Sequence, residues 1–432
     1  MAKKSLPIVE VTLDKIVGGG QSLGTLADGK KIFVWGGLPG ETVRVQITKS
    51  KSKLAEGVVV EVLKPSDSRG EPKDPGSFIS TSPWQIMSLD TENHYKAALI
   101  EEAFEMHNVV LPNPIEVYSD GVEYGYRNKV EFSFWFDTET EEISLAFFRR
   151  GTHGKISVEG TSLASDAITE TSKRVLAVLN GLGIEGRALK TLLIRSNASG
   201  ETAWQLYVKD EDFDTKAVLR SFPEDENAEI IFSNPRSPAS VITKRLAGEG
   251  RPLTDTILGV PFRYATEGFF QINLPVYEQA LKDMREWIAA DRPAVDLYSG
   301  VGSIGLTIGG PGVHLVELNE NAVREMKRNI ADLGIDATSI LAASEDALEY
   351  ITGDKTIIID PPRAGLHASV VQRLLEEKPQ RIVYLSCNPV TQARDVALLA
   401  ADDTYGIRAH KGYNFFPHTT HIEHLGVLDL KA

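Results

Sequence analysis

Cysteine is almost absent from this chain: its 432 residues include one, Cys387. A single thiol forms no internal disulfide and supplies no multi-cysteine metal site. Long apolar runs are missing too. Runs such as Thr356–Ile359 are short and broken by charge, so no membrane span is expected. The start, Met-Ala-Lys-Lys-Ser, is basic but leads into no apolar signal core, and a cytoplasmic protein is expected. A general positive excess is also lacking, because the net charge is −14. That argues against binding nucleic acid through overall charge. The charge is uneven, however: residues 1–70 hold 11 Lys and Arg against 7 Asp and Glu, about +4. Local basic surface matters more to a phosphate backbone than the global sum.

What is present is ordinary globular composition, 42% hydrophobic and 25% charged. The length suits roughly two to four domains. Residues 6–64 read as about five short strands between glycine turns, at Ile8–Leu13, Ser22–Leu26, Lys31–Trp35, Glu41–Thr48 and Glu56–Leu63. That spacing predicts a small closed barrel of the oligonucleotide-binding type, with the loop Lys49–Lys53 as its basic edge. Pro65–Pro75 reads as a linker. A helix is expected at Asp90–His107, with Tyr95, Ala98, Leu99, Phe104 and Met106 as its apolar stripe.

The middle of the chain reads as an α+β region. In Tyr124–Asp137, alternation puts Val130, Phe132 and Phe134 on one face and Arg127 and Lys129 on the other. Those two cations suit either phosphate contacts or a solvated strand face. From about Leu258 the rhythm becomes strand–helix alternation with continuous apolar strands. That indicates a parallel-rich sheet covered on both faces, with ligands outside the carboxyl ends of its strands. The domains expected are residues 1–66, 67–255 and 256–432.

Five places along the chain carry chemistry. Asp296–Gly305 follows a strand, opens a helix and contains Gly300, Gly302 and Gly305 in G-x-G-x-x-G spacing, which admits a nucleotide-like ligand. The next strand ends in Glu317, a carboxylate able to accept from both ribose hydroxyls. Asp360-Pro-Pro-Arg363 makes a rigid ledge at a later strand end. Cys387 ends the strand after that, so a helix N-terminus and Arg363 are expected to lower its pKa. The competing reading is a small buried hydrophobe, as most free cysteines are. Phe416–Leu425 holds His418, His421 and His424, with Glu423 as a candidate base. The histidines lack an Asp or Cys ligand at useful spacing, so no metal is expected.

In their order, Gly268-Phe-Phe-Gln271-Ile-Asn273, Asp296–Gly305, Asp360–Gly365, Ser386–Pro389 and Phe416–Leu425 resemble the uracil-C5 RNA methyltransferases, which form 5-methyluridine. Residues 33–41 look like part of the TRAM barrel that many members carry. The resemblance implies an α/β protein: a Rossmann-like class I methyltransferase domain behind an OB-like TRAM barrel and a central α+β domain. It implies S-adenosyl-L-methionine as cofactor, held by Gln271, Tyr298, Gly300, Gly302, Ser303, Glu317 and Asp360. Cys387 matches the nucleophile and Glu423 the base. The partner implied is RNA, ribosomal or transfer, and a monomer is expected. The helix at 90–108 is expected to pack on the catalytic domain.

One departure is plain. Members with an iron–sulfur cluster hold it through cysteines, and here Ser80, Thr81, Ser82 and Thr161 stand in the corresponding regions. No such cluster can form. Two rival readings remain: an RNA amino-methyltransferase using Asp360-Pro-Pro, for which Cys387 is dispensable, and an RNA-binding protein with an inert catalytic domain.

Overall fold

The computed structural model describes residues 7–152, 154–289 and 292–431; the basic start at residues 1–5 lies outside them. Strands β1 (Ile8–Val17), β2 (Gln21–Thr25), β3 (Lys31–Trp35), β4 (Thr42–Ser50) and β5 (Leu54–Lys64) close a barrel in the order β1-β2-β3-β5-β4. Period-two alternation sends Val11, Leu13, Ile32, Val34, Val43 and Val45 into its core. A bulge between Leu13 and Lys15 resets that alternation. Ile16 therefore packs outside the barrel core, with Leu38, Trp84 and Ile86. Beside it the Trp84 indole N–H donates to the Gly20 carbonyl at 3.0 Å. A Cβ on Gly20, whose φ is +84°, would fall 2.1 Å from Thr420, so only glycine permits this approach.

The stretch expected to be a linker is packed. Arg69 donates to both oxygens of the buried Glu41, at 2.5 and 2.8 Å, and its backbone bridges to Met87. Proline and serine composition shows only that regular structure is avoided, and it leaves such a tether unseen. Beyond it come α1 (Phe78–Thr81) and α2 (Leu89–Met106). The Asp74 carboxylate accepts from Gln85 Nε2 at 3.0 Å, Thr161 Oγ1 at 3.2 Å, and Ser162 through its amide at 3.1 Å and its hydroxyl at 2.9 Å. Gln85 Nε2 also donates to Ser82 Oγ at 2.7 Å. A polar network thus joins the two segments that lack cluster cysteines. Asp74→Ala, which leaves several donors unmatched, is expected to cost roughly 2–3 kcal/mol. An unchanged denaturant midpoint would remove the network from the stability of this junction.

Helix α2 starts at Ser88, whose hydroxyl accepts from Thr91 N. Its buried face is Glu92, Lys96, Leu99, Ile100, Ala103 and Phe104. The expected stripe was partly wrong: Met106 is 61% exposed and Ala98 is exposed, while a charged pair lies inside. Apolarity alone does not register an ion pair that faces a core. Strand β6 (Val117–Tyr118) then adds in parallel to the edge of the C-terminal sheet.

The central sheet comprises β7 (Lys129–Phe136), β8 (Ile143–Phe148), β9 (Lys155–Val158), β10 (Leu189–Ser196), β11 (Thr202–Val208), β12 (Ala228–Phe232) and β13 (Lys244–Gly248). Its order is β13-β12-β11-β10-β7-β8-β9. Helices α3 (Asp166–Gly181) and α4 (Thr215–Leu219) cover one face, where Val130, Phe132, Phe134, Val175 and Trp204 meet. Strand β7 starts five residues later than expected. Lys129 does not sit on a solvated face: it donates to the Glu267 carbonyl at 3.0 Å, and burial pulls its pKa down to about 8.

A hairpin, β14 (Leu253–Ile257) and β15 (Val260–Tyr264), leads through α5 (Leu274–Arg285) into the third unit. Its elements are β16 (Ala294–Leu297), α6 (Gly305–Ile308), β17 (Val313–Glu317), α7 (Glu320–Leu333), β18 (Ala337–Leu341), β19 (Thr356–Ile359), α8 (Ala368–Glu377), β20 (Arg381–Ser386), α9 (Pro389–Leu399), β21 (Tyr405–Tyr413) and β22 (Glu423–Leu430). The eight-stranded order is β18-β17-β16-β19-β20-β22-β21-β6. Strands β16 to β20 run parallel, and β22 returns antiparallel against β20. The mixed α/β architecture is the expected one. Among the described residues no helix is long and apolar enough to cross a membrane.

Candidate active site

Register brings the chemistry together. The parallel strands β16, β17, β19 and β20 all end at one edge, presenting Tyr298, Glu317, Asp360 and Cys387. Strand β22 runs the other way, so its first residue lies at that same edge. Ser386 pairs with His424, which puts Cys387 and Glu423 at the same level of neighbouring strands. Residues far apart in sequence thus share one crevice at the carboxyl ends of a parallel sheet.

The glycine loop is built around buried acids. Asp296, fully buried, accepts from Gly305 N at 2.9 Å, and burial raises its pKa far above the carboxylate range. Tyr298 takes a left-handed φ of +66°, a costly conformation for a tyrosine and a mark of a functional turn. Glu317 accepts from Gly300 N at 2.9 Å and Asn319 N at 2.7 Å, which fixes both oxygens over the loop. Gly300 has φ +59°, and a Cβ there would meet nothing within 4 Å: the loop faces open space. Leu318 and Leu341 leave 68% and 52% of their surface exposed beside Glu317. Ser303 donates or accepts at 2.8 Å with the hydroxyl of fully buried Tyr277. Gln271 is nearly buried, and two residues on the Nδ2 atom of Asn273 is buried without a partner. Open space, an apolar rim, a fixed carboxylate and an orphaned donor fit a nucleoside ligand.

The loop carrying Gln271 is held by the central sheet. Arg195, fully buried, donates to the carbonyls of Ala265 at 3.1 Å, Gly268 at 2.7 Å and Phe270 at 3.1 Å. Asn128 Nδ2 donates to the Gln271 carbonyl at 2.8 Å. Sequence reasoning missed Arg195, Asn128 and Tyr277. A buried arginine satisfying a loop's carbonyls has no local motif; alternation within β10 marks the position only as inward or outward.

The expected lowering of the thiol pKa fails. Burial, with the charges of Glu423 and Asp360, pushes the Cys387 pKa up to about 11, and Arg363 offsets this only in part. Arg363 does not pair with the thiolate or a carboxylate; its Nη2 lies 2.7 Å from His421 Nδ1. The Arg363 carbonyl instead accepts from Asn388 Nδ2 at 2.8 Å, which ties the proline ledge to the cysteine turn. Asp395 on α9 reinforces it, accepting from Leu366 N and Tyr384 Oη, each at 2.8 Å.

Glu423 is 7% exposed. Burial, then the nearby Asp360, raises its pKa well above the usual carboxylate range. Burial also lifts Asp360 to about 7. A carboxyl so displaced favours the folded protein while protonated, and that contribution is lost as pH rises from about 4 through about 7. Asp360→Asn is therefore expected to raise the neutral-pH melting temperature of the empty protein by several degrees while weakening nucleoside binding. Equal melting curves for the two proteins at pH 7 would contradict this.

The three histidines point apart. His424 is buried with Nδ1 2.7 Å from Gln392 Oε1, and burial lowers its pKa to about 3. His421 lies at the mouth with Arg363. His418 packs on Tyr124, its Nε2 3.1 Å from Glu123. Among the described residues no group of three potential ligands is arranged for a metal.

Comparison with known proteins agrees with this geometry. Residues 347–431 match the model of tRNA (uracil-5-)-methyltransferase, and residues 8–60 match the TRAM domain. A protein of Fusobacterium nucleatum named as an RNA methyltransferase is 26% identical over 98% of this chain and 96% of its own. The 23S rRNA (uracil(1939)-C(5))-methyltransferase of Shewanella halifaxensis is 25% identical over 94% of this chain and 92% of its own. The fold is that of the Pyrococcus abyssi tRNA (uracil-54, C5)-methyltransferase, solved in complex with S-adenosyl-L-homocysteine. That structure superposes with a TM-score of 0.78 at 22% identity, covering 97% of this chain and all of the other. The strand-end crevice and these matches point one way: the chain is similar along nearly its whole length to RNA methyltransferases, with a tRNA (uracil-5-)-methyltransferase match over residues 347–431 and a TRAM match over residues 8–60.

Proposed function

We propose that the chain is an S-adenosyl-L-methionine-dependent RNA uridine C5-methyltransferase, forming 5-methyluridine in ribosomal or transfer RNA. The observation that carries this reading is Cys387 and Glu423 at one level of adjacent strands, in the crevice of the glycine loop. The methyl donor, when bound, supplies an electrophilic methyl group and a positive sulfonium charge. Gln271, Tyr298, Gly300, Gly302, Ser303, Glu317 and Asp360 are the residues assigned to hold it.

The chain's own residues do the rest. The Cys387 thiolate adds to uracil C6, and the C5–C6 π electrons move to O4, forming an enolate. C5 of that enolate then bonds to the methyl carbon as the methyl–sulfur bond breaks, its electron pair staying on sulfur, so that the donor would leave as the neutral thioether S-adenosyl-L-homocysteine. Glu423, as carboxylate, takes the C5 proton. The C5–H electrons restore the C5–C6 double bond and expel the thiolate, which closes the cycle. A positive charge in the crevice favours the ionised forms of Cys387 and Glu423, which burial disfavours in its absence.

RNA is the partner, with residues 1–66 and 67–255 as its binding domains and 256–432 as the catalytic one. Burial, and then the converging charges of Arg363, Arg127, Lys96 and Arg150, lower the His421 pKa to about 4, so four cations gather at the mouth of an acidic chain. Arg150 also lies 4.1 Å over the Trp35 ring of the barrel, linking barrel and mouth. A uridine in folded RNA must leave its stack to enter, at roughly a few kcal/mol.

RNA carrying 5-fluorouridine tests the reading. Fluorine cannot leave as a proton, so incubation with the methyl donor is expected to give a denaturation-resistant protein–RNA adduct. No adduct on an RNA that the protein demonstrably methylates would sink the mechanism and leave the amino-methyltransferase reading.

A further inference from the structure

The charges inside α2 have no packing reason. Lys96 and Glu92 are both fully buried. A buried ion pair is weak as a source of stability, because apolar residues of similar volume hold a core as well. The Lys96 ammonium donates to Glu92 Oε1 at 2.8 Å, Asn414 Oδ1 at 2.6 Å and the Phe416 carbonyl at 3.2 Å, three acceptors for three protons. Glu92 grips the same segment, accepting from Asn414 Nδ2 at 3.0 Å and His418 N at 2.8 Å. That segment is the turn from β21 to β22. Asn414 follows Tyr413, which pairs directly with Glu423.

We propose that Lys96 is a positioning residue for proton removal: it locks the Asn414–His418 turn and stands as a fixed positive charge beside Glu423 as the carboxylate forms. This rests on the proposed function, in which Glu423 takes the C5 proton. The groups facing Glu423 come from several elements. Burial and then Asp360 oppose its ionisation, whereas Arg363 and Lys96 favour it; the Cys387 thiol and the Tyr277 phenol on α5 also lie in reach of its charge, which raises the pKa of each. Arg363 is engaged with His421. The charge of Lys96, which burial works against and Glu92 supports, acts on Glu423 from a helix that precedes the central sheet in sequence.

The sign follows. Without the ammonium, Glu423 keeps its proton to higher pH, so the rising limb of the proton-removal rate moves to alkaline pH. The measurement is single-turnover release of tritium from RNA carrying [5-³H]uridine, followed against pH. Lys96→Met alone strands the buried Glu92 carboxylate, so the informative protein is the double variant Glu92→Gln/Lys96→Met, which buries no lone charge. Its limb is expected to shift up by about one pH unit, roughly tenfold slower on the limb, with recovery at the alkaline plateau. At that plateau, adduct formation with 5-fluorouridine RNA is expected at the wild-type rate. A folded double variant whose limb superimposes on wild type, or whose loss is equal at every pH, overturns the assignment. Absence of tritium release by the wild-type protein on RNA that it methylates overturns the proposed function instead.

Discussion

Replacing Cys387 by serine is expected to leave the fold intact and to lower methyl transfer by roughly 10⁴- to 10⁶-fold, the scale of losing a covalent nucleophile. Serine nearly keeps the volume, and the turn is held by the Ser386 hydroxyl, which donates to the Asn388 carbonyl and accepts from Asn388 N. What disappears is addition to C6, and with it the nucleophilic C5. The variant should also form no adduct with 5-fluorouridine RNA. Methylation by Cys387→Ser at more than a few per cent of wild type would end the covalent reading.

The thiol's environment adds a pH dependence. With a pKa of about 11, roughly one thiol in 10⁴ is ionised at pH 7 in the empty site. Alkylation of the free protein by iodoacetamide should therefore rise about tenfold per pH unit between pH 7 and 10. A rate that is fast and flat from pH 7 would show that the thiolate is stabilised after all. With the methyl donor bound, its positive charge should speed alkylation at fixed pH wherever the reagent still has access.

Glu423→Gln is expected to separate the two halves of the reaction. Addition and methyl transfer need no base at this position, so a methylated covalent adduct should accumulate on ordinary RNA. Turnover should fall by roughly 10²- to 10⁴-fold, the contribution of a positioned general base. Mass spectrometry of the trapped complex would show protein, RNA and one added methyl. Normal turnover would remove Glu423 from the base role and leave the proton to water or another group. Because burial and Asp360 raise the Glu423 pKa, wild-type activity should climb with pH; the amide variant should lose that part of the slope.

The parallel unit was legible because each strand is a short apolar run that ends in a chemical residue. Thr356–Ile359 and Arg381–Ser386 are such runs, ending at Asp360 and Cys387. The barrel was legible for a similar reason, since glycine turns separate alternating strands. Lys129 shows the limit. Its alternation within β7 is correct, yet its face is covered by the loop at 265–270, which comes from far along the chain. The stripe on α2 failed for the same cause, because the buried face includes Glu92 and Lys96, whose partners lie in the turn before β22.

The lone cysteine separates the two kinds of information most clearly. The sequence by itself determined that the chain holds one thiol, at a strand end before Asn-Pro, so a disulfide framework and a cysteine-ligated cluster were excluded. It also placed Glu423 at the start of the last strand. Only the tertiary structure decided that these two residues share a level, because an antiparallel return and its register are long-range facts. It likewise decided the direction in which their pKa values move. A helix N-terminus and an arginine near Cys387 suggested a lowered pKa, but burial beside Glu423 and Asp360 outweighs both, since desolvation and like charge depend on everything packed around the site.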